Sequence, residues 1–260
     1  MQTKKILFIF SVFLMVSYTN AQQNRYLEAN FIKDIDTLKY RILYPKNFSE
    51  SKQYPVVFFL HGAGERGSDN EKQLVHGSTL FSSEENLEKF PAIIIFPQCA
   101  RDDFWSNAKV NRNKRPISLK FNYKRKPTKA MTLVMDFVDE TIAKPYVKKE
   151  QVYVMGLSMG GMGTFEILHR KPNTFAAAIA ICGGGQAKGA KEFFNTPLWV
   201  FHGANDDVVH PVLSLEMVSA LLKYGGKPKF TMYDKANHNS WDPAFAEPDL
   251  LAWLFSNKLK

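Results

Sequence analysis

Gly156-Leu-Ser-Met-Gly160 is the stretch of sequence that decides the fold. It follows residues 151–155, a short apolar run typical of a strand, and it leads into residues 158–170, where apolar side chains recur at helical spacing. A serine between two glycines on a strand-to-helix turn is the pattern of a nucleophile elbow. Bulky side chains beside the serine would clash in so tight a turn, which explains the glycines. The pattern predicts that Ser158 presents its hydroxyl group above the end of a sheet.

The segments on either side of this turn alternate between strand-like and helix-like patterns. Alternation of apolar and polar residues predicts a strand at 38–43, and short apolar runs predict strands at 55–60, 92–96, 151–155, 175–181 and 197–201. A further strand is predicted at 229–233. Spacing of three and four predicts helices at 129–146, 158–170, 212–224 and 244–255. Such alternation indicates a single α/β domain, with a mostly parallel central sheet and helices on both faces.

A serine hydroxyl needs a base to remove its proton, and the base needs a carboxylate to orient it. After a turn of this type the partners follow in the order serine, acid, histidine. Asp206 and Asp207 lie just beyond the predicted strand 197–201, where ligand-facing loops of open α/β sheets gather. We predict Asp206 as the acid, with Asp207 as the alternative.

His238 directly follows the last predicted strand, 229–233, and we predict it as the base. The other candidates have less suitable positions: His210 resembles a helix-start residue, and His76 and His169 lie in or near polar segments. A lone histidine is more often structural than catalytic. The order along the chain selects His238.

A glycine-rich loop, residues 61–67, follows the predicted strand 55–60. A tetrahedral oxyanion needs N–H donors that are already in place. We predict the backbone N–H groups of Ala63 and Met159 as an oxyanion hole, because glycines beside Ala63 let the backbone approach a substrate closely. The loop lacks the Gly-Lys-Ser/Thr ending of a P-loop, which argues against phosphate binding.

Four blocks carry a resemblance to a known family: Leu60-His-Gly-Ala-Gly-Glu-Arg-Gly67, Gly156-Leu-Ser-Met-Gly-Gly161, His202-Gly-Ala-Asn-Asp206 and His238-Asn-Ser-Trp241. Together they resemble the secreted bacterial "predicted peptidase" esterases of the α/β-hydrolase superfamily. That group is close to phospholipase/carboxylesterase, dienelactone-hydrolase-like and feruloyl-esterase-like enzymes. The resemblance runs from about Tyr40 to the C-terminus and implies the same triad and oxyanion donors. The chain departs from dienelactone hydrolases proper, whose nucleophile is a cysteine where this chain has Ser158.

The resemblance implies a serine hydrolase of carboxylic ester bonds that needs no metal and no organic cofactor. Together with the export pattern described below, it favours short acyl or hydroxycinnamoyl esters on polysaccharide-derived substrates. The alternatives are a general carboxylesterase or lipase, a peptidase, and a non-catalytic binding protein on the same fold. The expected partner is a small-molecule or polysaccharide ester and no nucleic acid, and the oligomeric state stays open.

The N-terminus has the pattern of a secretory signal peptide. Lys4 and Lys5 precede an apolar run over residues 6–16, and a small residue ends the polar patch that follows. The run is short for a bilayer span, and the alternative is an uncleaved membrane anchor. We predict a signal peptide over residues 1–21 and a catalytic domain over residues 22–260, secreted or periplasmic and without stable membrane insertion.

Residues 98–128 carry nine Lys or Arg side chains against two Asp, in a chain with a formal net charge of +9. They show little apolar periodicity, and we expect a basic insertion near the active site. It would steer anionic substrates such as uronate-bearing polysaccharide, or it is a solvated surface loop. Trp105 within it, and Trp241 just after His238, are candidate substrate-binding aromatics. A place in the core is the alternative for both.

The chain has two cysteines, Cys99 and Cys182, and each follows an apolar run. Two cysteines are too few to form a disulfide framework in a chain of this length. We predict two free buried thiols, with a disulfide between them as the alternative in an exported protein.

Overall fold

The computed structural model describes residues 25–259. The predicted signal peptide, residues 1–21, and the predicted start of the mature chain at Gln22 lie outside the described residues. The domain boundary therefore stays a prediction. None of the helices within residues 25–259 is long and apolar enough to cross a membrane.

The described residues form ten strands and seven helices. The strands are β1 Leu27–Lys33, β2 Asp36–Leu43, β3 Tyr54–Leu60, β4 Ile93–Pro97, β5 Ala108–Asn111, β6 Ser118–Phe121, β7 Val147–Leu157, β8 Ala177–Ile181, β9 Leu198–Gly203 and β10 Lys229–Tyr233. The helices are α1 Ser78–Ser82, α2 Glu84–Lys89, α3 Lys129–Ile142, α4 Met159–Arg170, α5 Val212–Lys223, α6 Trp241–Phe245 and α7 Leu250–Ser256.

Eight of the strands form one sheet in the order β1-β2-β4-β3-β7-β8-β9-β10. β1 pairs antiparallel with β2, and β2 pairs antiparallel with β4. All pairings from β4 across to β10 are parallel. Parallel neighbours need long crossover connections, which helices usually provide. The predicted mostly parallel sheet is confirmed.

β3 shows how the sheet comes to have two covered faces. Val56, Phe58 and Leu60 belong to one apolar core, and Val57 and Phe59 belong to another, because successive side chains of a strand point to opposite faces. The first core contains buried residues of α3, α4 and α5, and the second contains buried residues of α1, α2, α6 and α7. An uninterrupted apolar run is what a strand between two such layers requires.

β7 and α4 meet at Ser158, which alone makes the turn between them. Its backbone φ is 52° and its ψ is −114°, a strained conformation for a residue with a side chain. A Cβ at Gly160 would overlap the carbonyl oxygen of Leu60, and a Cβ at Gly156 would overlap the backbone of Gly160. Both glycines are required because α4 approaches the end of β3 at backbone contact distance.

The ring of His61, the residue after β3, is hydrogen-bonded to the chain that follows β4. The buried ring accepts a hydrogen bond at Nε2 from the backbone N–H of Cys99 at 3.0 Å and donates from Nδ1 to the carbonyl oxygen of Gly62 at 2.6 Å. Burial lowers the pKa of His61 to about 4, since the charged ring would lose its hydration. The ring is therefore neutral at neutral pH, as the acceptor role of Nε2 requires.

Two predicted helices are longer than the observed ones. The predicted helix 244–255 is wrong as one element: the chain forms α6 and α7, and Pro248 lies in the break because proline has no N–H for a helical hydrogen bond. The predicted helix 129–146 ends at Ile142, shortly before Pro145. In both segments the predicted helix runs through a proline, whereas the observed helix ends before it.

The sequence patterns predict neither β1 nor the pair β5 and β6. β1 is an edge strand with much exposed apolar surface, including Leu27 at 57% and Ile32 at 67% exposure, and it lacks the alternation of a half-buried strand. β5 and β6 pair antiparallel as a separate two-stranded sheet within residues 98–128. The little apolar periodicity of residues 98–128 gives no sign of these two strands.

Glu166 of α4 anchors the basic insertion. Its buried carboxylate accepts hydrogen bonds from Ser106 Oγ at 2.8 Å and from the backbone N–H of Asn107 at 2.5 Å. Arg170, one turn further along α4, pairs with the same carboxylate at 2.7 Å. A buried charge is stable only with such partners. The start of residues 98–128 is therefore fixed to the helix that follows Ser158.

Cys99 and Cys182 are free and buried, as predicted. Burial raises the pKa of both thiols well above the ordinary value, because the thiolate would lose its hydration. Both side chains therefore pack as small apolar groups and are poor nucleophiles.

The contact between α4 and β3 predicts that Gly160→Ala is strongly destabilising. The new methyl group would push against backbone that cannot move aside, and we expect a loss of about 3 kcal/mol in the free energy of unfolding, measured by urea denaturation. Gly64→Ala is the matched control, because a Cβ at Gly64 meets nothing within 4 Å. Equal stability losses in the two variants would contradict the steric account.

The buried neutral ring of His61 predicts acid destabilisation. The pKa of His61 is about 4 in the folded protein, against an ordinary value near 6.5, so below about pH 6.5 the unfolded state binds the proton first. Stability is fully present above that pH and declines as the pH falls toward 4. We expect the wild type to lose about 2 kcal/mol more than His61→Gln between pH 7 and pH 5, measured by urea denaturation. Equal losses of stability in the wild type and in His61→Gln would show that His61 is not the cause.

Candidate active site

Ser158, His238 and Asp206 form one hydrogen-bonded chain. Ser158 Oγ lies 2.9 Å from His238 Nε2, and His238 Nδ1 lies 2.7 Å from Asp206 Oδ2. When Nδ1 donates to the carboxylate, Nε2 is free to accept the proton of the serine hydroxyl. The structure brings together the three residues that the order along the chain selects.

Each of the three follows a different parallel strand. Ser158 follows β7, Asp206 lies beyond β9, and His238 lies beyond β10. The carboxyl ends of parallel strands lie at the same edge of a sheet, so the three loops meet although they are far apart in sequence.

Asp206 is held by more than His238. Its buried Oδ1 accepts hydrogen bonds from the backbone N–H groups of Val208 and Val209, both at 2.9 Å, and its Oδ2 also accepts from His202 Nε2 at 3.1 Å. Burial alone would raise the pKa of the Asp206 carboxyl, but the hydrogen bonds from His202 and His238 outweigh it and hold the pKa below the ordinary value. Asp206 is therefore ionised at neutral pH.

Asp207, the alternative acid, has a different environment. Its side chain is exposed, and its backbone N–H donates to Asn237 Oδ1 at 3.1 Å. Within residues 25–259, the carboxylate hydrogen-bonded to His238 is that of Asp206. The geometry therefore favours Asp206, although the two aspartates are adjacent in the sequence.

Sequence reasoning assigned no role to His202, which lies near the end of β9. The ring is fully buried, and its Nε2 faces two acceptors, Asp206 Oδ2 and the carbonyl oxygen of Val209 at 2.9 Å, so Nε2 carries the proton. Its Nδ1 is 2.7 Å from Ser214 Oγ. The signal in the sequence was a histidine within an apolar strand, four residues before the acid.

The predicted oxyanion donors lie beside Ser158. Met159 is the first residue of α4, so its N–H has no acceptor within the helix, and the positive end of the helix dipole lies at the same point. Ala63 is the first residue of the short 3₁₀ turn Ala63–Glu65, so its N–H likewise has no acceptor within that turn. Ala63, Met159 and Ser158 line the same pocket. This arrangement can stabilise negative charge on a substrate oxygen at Ser158.

The pocket has a volume of about 260 Å³ and contrasting sides. On one side, five apolar side chains of the lining pack together in one cluster: Phe104, Ile117, Met162, Val208 and Val209. The other group is polar and aromatic: Glu65, His76 and Trp241.

The two candidate substrate-binding tryptophans have different positions. Trp241 lines the pocket, and its ring lies edge-to-face against the ring of His238 at a centroid distance of 5.5 Å. Trp105 is fully buried and donates from Nε1 to the carbonyl oxygen of His61 at 3.1 Å. The prediction that Trp105 binds substrate is therefore corrected. From the buried side, Trp105 supports the loop that carries Ala63.

The basic insertion borders the pocket. Phe104, Arg112 and Ile117, all within residues 98–128, contribute to its lining. Arg112 is exposed in the turn of the β5–β6 hairpin, so a positive charge borders the pocket. The steering of anionic substrates by this charge stays a prediction.

One group of side chains has the composition of a metal site. Cys182, Asp206 and His238 place possible ligand atoms within 4.8 Å of one another. Asp206 Oδ2 and His238 Nδ1 are hydrogen-bonded to each other, and burial raises the pKa of the Cys182 thiol. The donor set therefore suits proton transfer better than metal binding.

Comparisons with known proteins show which family this chain resembles. Residues 36–243 match the Esterase family model. A bifunctional acetylxylan esterase/xylanase of Neocallimastix patriciarum is 33% identical over 97 residues, which are 37% of this chain and 14% of that protein. A thermostable esterase of known structure is 30% identical, with a TM-score of 0.82 over 92% of this chain and 64% of the other. This chain therefore spans less than two thirds of the length of either relative.

A more distant structure shows the fold alone. The CE1 ferulic acid esterase of Anaeromyces mucronatus, solved with ferulic acid, is 17% identical, with a TM-score of 0.61 over 87% of this chain and 89% of the other. The α/β-hydrolase fold that the four sequence blocks implied is confirmed by these likenesses. Since the family model matches most of the described residues, the chain belongs to the Esterase family.

Proposed function

We propose that the protein is a secreted or periplasmic serine esterase that hydrolyses short acyl or hydroxycinnamoyl esters on polysaccharide-derived substrates. The observation that carries the proposal is the hydrogen-bonded chain from Ser158 through His238 to Asp206, which opens into a pocket beside two free N–H groups. The signal-peptide pattern of residues 1–21 supports export.

The first half of the reaction forms an acyl-enzyme. His238 Nε2 takes the proton of Ser158 as Oγ attacks the ester carbonyl carbon. The carbonyl oxygen becomes an oxyanion, which the N–H groups of Ala63 and Met159 stabilise. His238 then gives its proton to the departing alcohol oxygen as the C–O bond breaks.

The second half releases the acid. Water gives a proton to His238 Nε2 and attacks the acyl carbon, and the oxyanion forms again in the same place. When it collapses, Ser158 Oγ leaves and recovers the proton from His238. The ionised Asp206 keeps the proton on Nδ1 throughout and stabilises the charged imidazole.

The size of the pocket supports a small acyl group. Its volume of about 260 Å³ is below the range of about 300–1,000 Å³ that is common for larger ligands. A short acyl chain or a single aromatic ring fits against the apolar cluster that contains Phe104, Ile117 and Met162. Two similar proteins are an esterase and an acetylxylan esterase/xylanase, which supports the same class of reaction. A general carboxylesterase or lipase is the second candidate.

Ser158→Ala tests the nucleophile. We expect the variant to lose about 10⁶-fold in kcat on any ester that the wild type hydrolyses, because no covalent intermediate can form. The measurement is hydrolysis of 4-nitrophenyl acetate, butyrate and octanoate, and of methyl ferulate, at equal protein concentration. Rates that rise toward octanoate would favour a lipase, and equal rates for variant and wild type would overturn the serine mechanism.

Asp206→Asn and Asp207→Asn form a matched pair for the acid. Removing the carboxylate at Asp206 frees the imidazole to adopt the wrong tautomer, so we expect kcat to fall about 10⁴-fold. Asp207 is exposed and should change the rate by less than about twofold. Steady-state kinetics on one good ester would decide the assignment, and the reverse ranking would make Asp207 the acid.

A further inference from the structure

One face of β9 ends in a polar residue. Leu198 and Val200 point into the first apolar core, and His202 is the next residue on the same face, because alternate residues of a strand share a face. The ring of His202 is fully buried. A buried polar ring is unfavourable unless its nitrogen atoms find hydrogen-bond partners, so the partners show what the ring does.

The Asp206 carboxylate is one of these partners, and its acceptor positions are all occupied. An ionised carboxylate offers about four lone-pair sites, two on each oxygen. Oδ1 accepts hydrogen bonds from the backbone N–H groups of Val208 and Val209. Oδ2 accepts from His202 Nε2 at 3.1 Å and from His238 Nδ1 at 2.7 Å. His202 therefore leaves one lone-pair site on Oδ2, and that site faces His238.

The other ring nitrogen of His202 is held from α5. Nδ1 lies 2.7 Å from Ser214 Oγ, and Ser214 Oγ lies 3.1 Å from the carbonyl oxygen of Gly183. The ring is therefore fixed at both nitrogen atoms, since a rotation about the Cβ–Cγ bond would break both contacts. The N–H group of Nε2 points to Asp206 as a result.

Asp206 is thus shared by two serine–histidine pairs. One pair, Ser158 and His238, lines the pocket. The other pair, His202 and Ser214, is fully buried, and neither residue is among the described residues that line the pocket. Substrate can therefore reach only the first pair, and the buried pair can act on the reaction only through Asp206.

We propose that His202 is a positioning residue for the ester hydrolysis. By occupying one lone pair of Asp206 Oδ2 from the buried side, it directs the other lone pair to His238 Nδ1. The direction of that hydrogen bond sets the tilt of the His238 ring, and the tilt aims Nε2 at Ser158 Oγ. The inference rests on the proposed esterase function and adds a residue that the order serine, acid, histidine does not include.

A positioning role and a purely structural role of His202 predict different kinetics. A structural role would lower the free energy of unfolding, whichever residue stands at position 206. A positioning role lowers kcat and leaves KM, because substrate does not contact His202, and it requires the Asp206 carboxylate.

His202→Asn and His202→Gln form a matched pair. The amide group of asparagine lies near the place of Nδ1 and keeps the contact with Ser214, but it is too short to reach Asp206. The amide group of glutamine lies near the place of Nε2 and still donates to Asp206. On 4-nitrophenyl acetate we expect kcat to fall about tenfold in His202→Asn, with KM changed less than about twofold, and to fall less than about threefold in His202→Gln. Urea denaturation shows whether each variant is folded under the conditions of the assay.

The same two substitutions in the Asp206→Ala background test whether His202 acts through the carboxylate. We expect their kcat values to differ less than about twofold there, since the acceptor that distinguishes them is gone. Ser214→Ala is the second variant, because it releases Nδ1 of His202. Its kcat should fall about threefold when Asp206 is present and stay unchanged in the Asp206→Ala background. This comparison decides the question if His202→Asn does not fold.

Three results would overturn the positioning role while the esterase function stands. They are an unchanged kcat in His202→Asn, equal losses in His202→Asn and His202→Gln, and the same His202→Asn loss with and without the Asp206 carboxylate. If the wild type hydrolyses no ester, the proposed function fails, and the positioning role fails with it.

Discussion

The close approach of α4 to the end of β3 is the constraint on which the site depends. Gly160 lies against the carbonyl oxygen of Leu60 with no room for a side chain. The helix that begins after Ser158 and the loop that begins after β3 therefore start from the same point. This contact brings the N–H groups of Ala63 and Met159 to the pocket that Ser158 enters. Backbone packing, and not an attraction between the site residues, sets their separation.

Asp206 organises the second half of the site, and here hydrogen bonds set the geometry. Two histidine rings and two backbone N–H groups converge on one buried carboxylate. In a medium of low dielectric constant these hydrogen bonds strengthen one another and fix the direction of each group. His202 holds the Asp206 carboxylate from the buried side. His238 links the same carboxylate to Ser158 on the side that faces solvent.

Part of the pocket lining comes from a different segment of the chain than the groups proposed for the chemistry. Ser158, Asp206 and His238 follow the ends of β7, β9 and β10, whereas the apolar lining includes residues of the basic insertion, which Glu166 anchors to α4. Substitutions within residues 98–128 can therefore change the pocket lining without disturbing the sheet.

The sequence by itself determined the elbow at Ser158 and the alternation of strands and helices, because these follow from local sterics and short-range periodicity. The order of residues along the chain predicted the proposed triad. Only the tertiary structure distinguished the buried Asp206 from the exposed Asp207, and the buried Trp105 from Trp241 beside His238. The β5–β6 hairpin and His202 also emerged only there. The burial and the partners of a side chain depend on elements distant in the chain, and no local pattern records them.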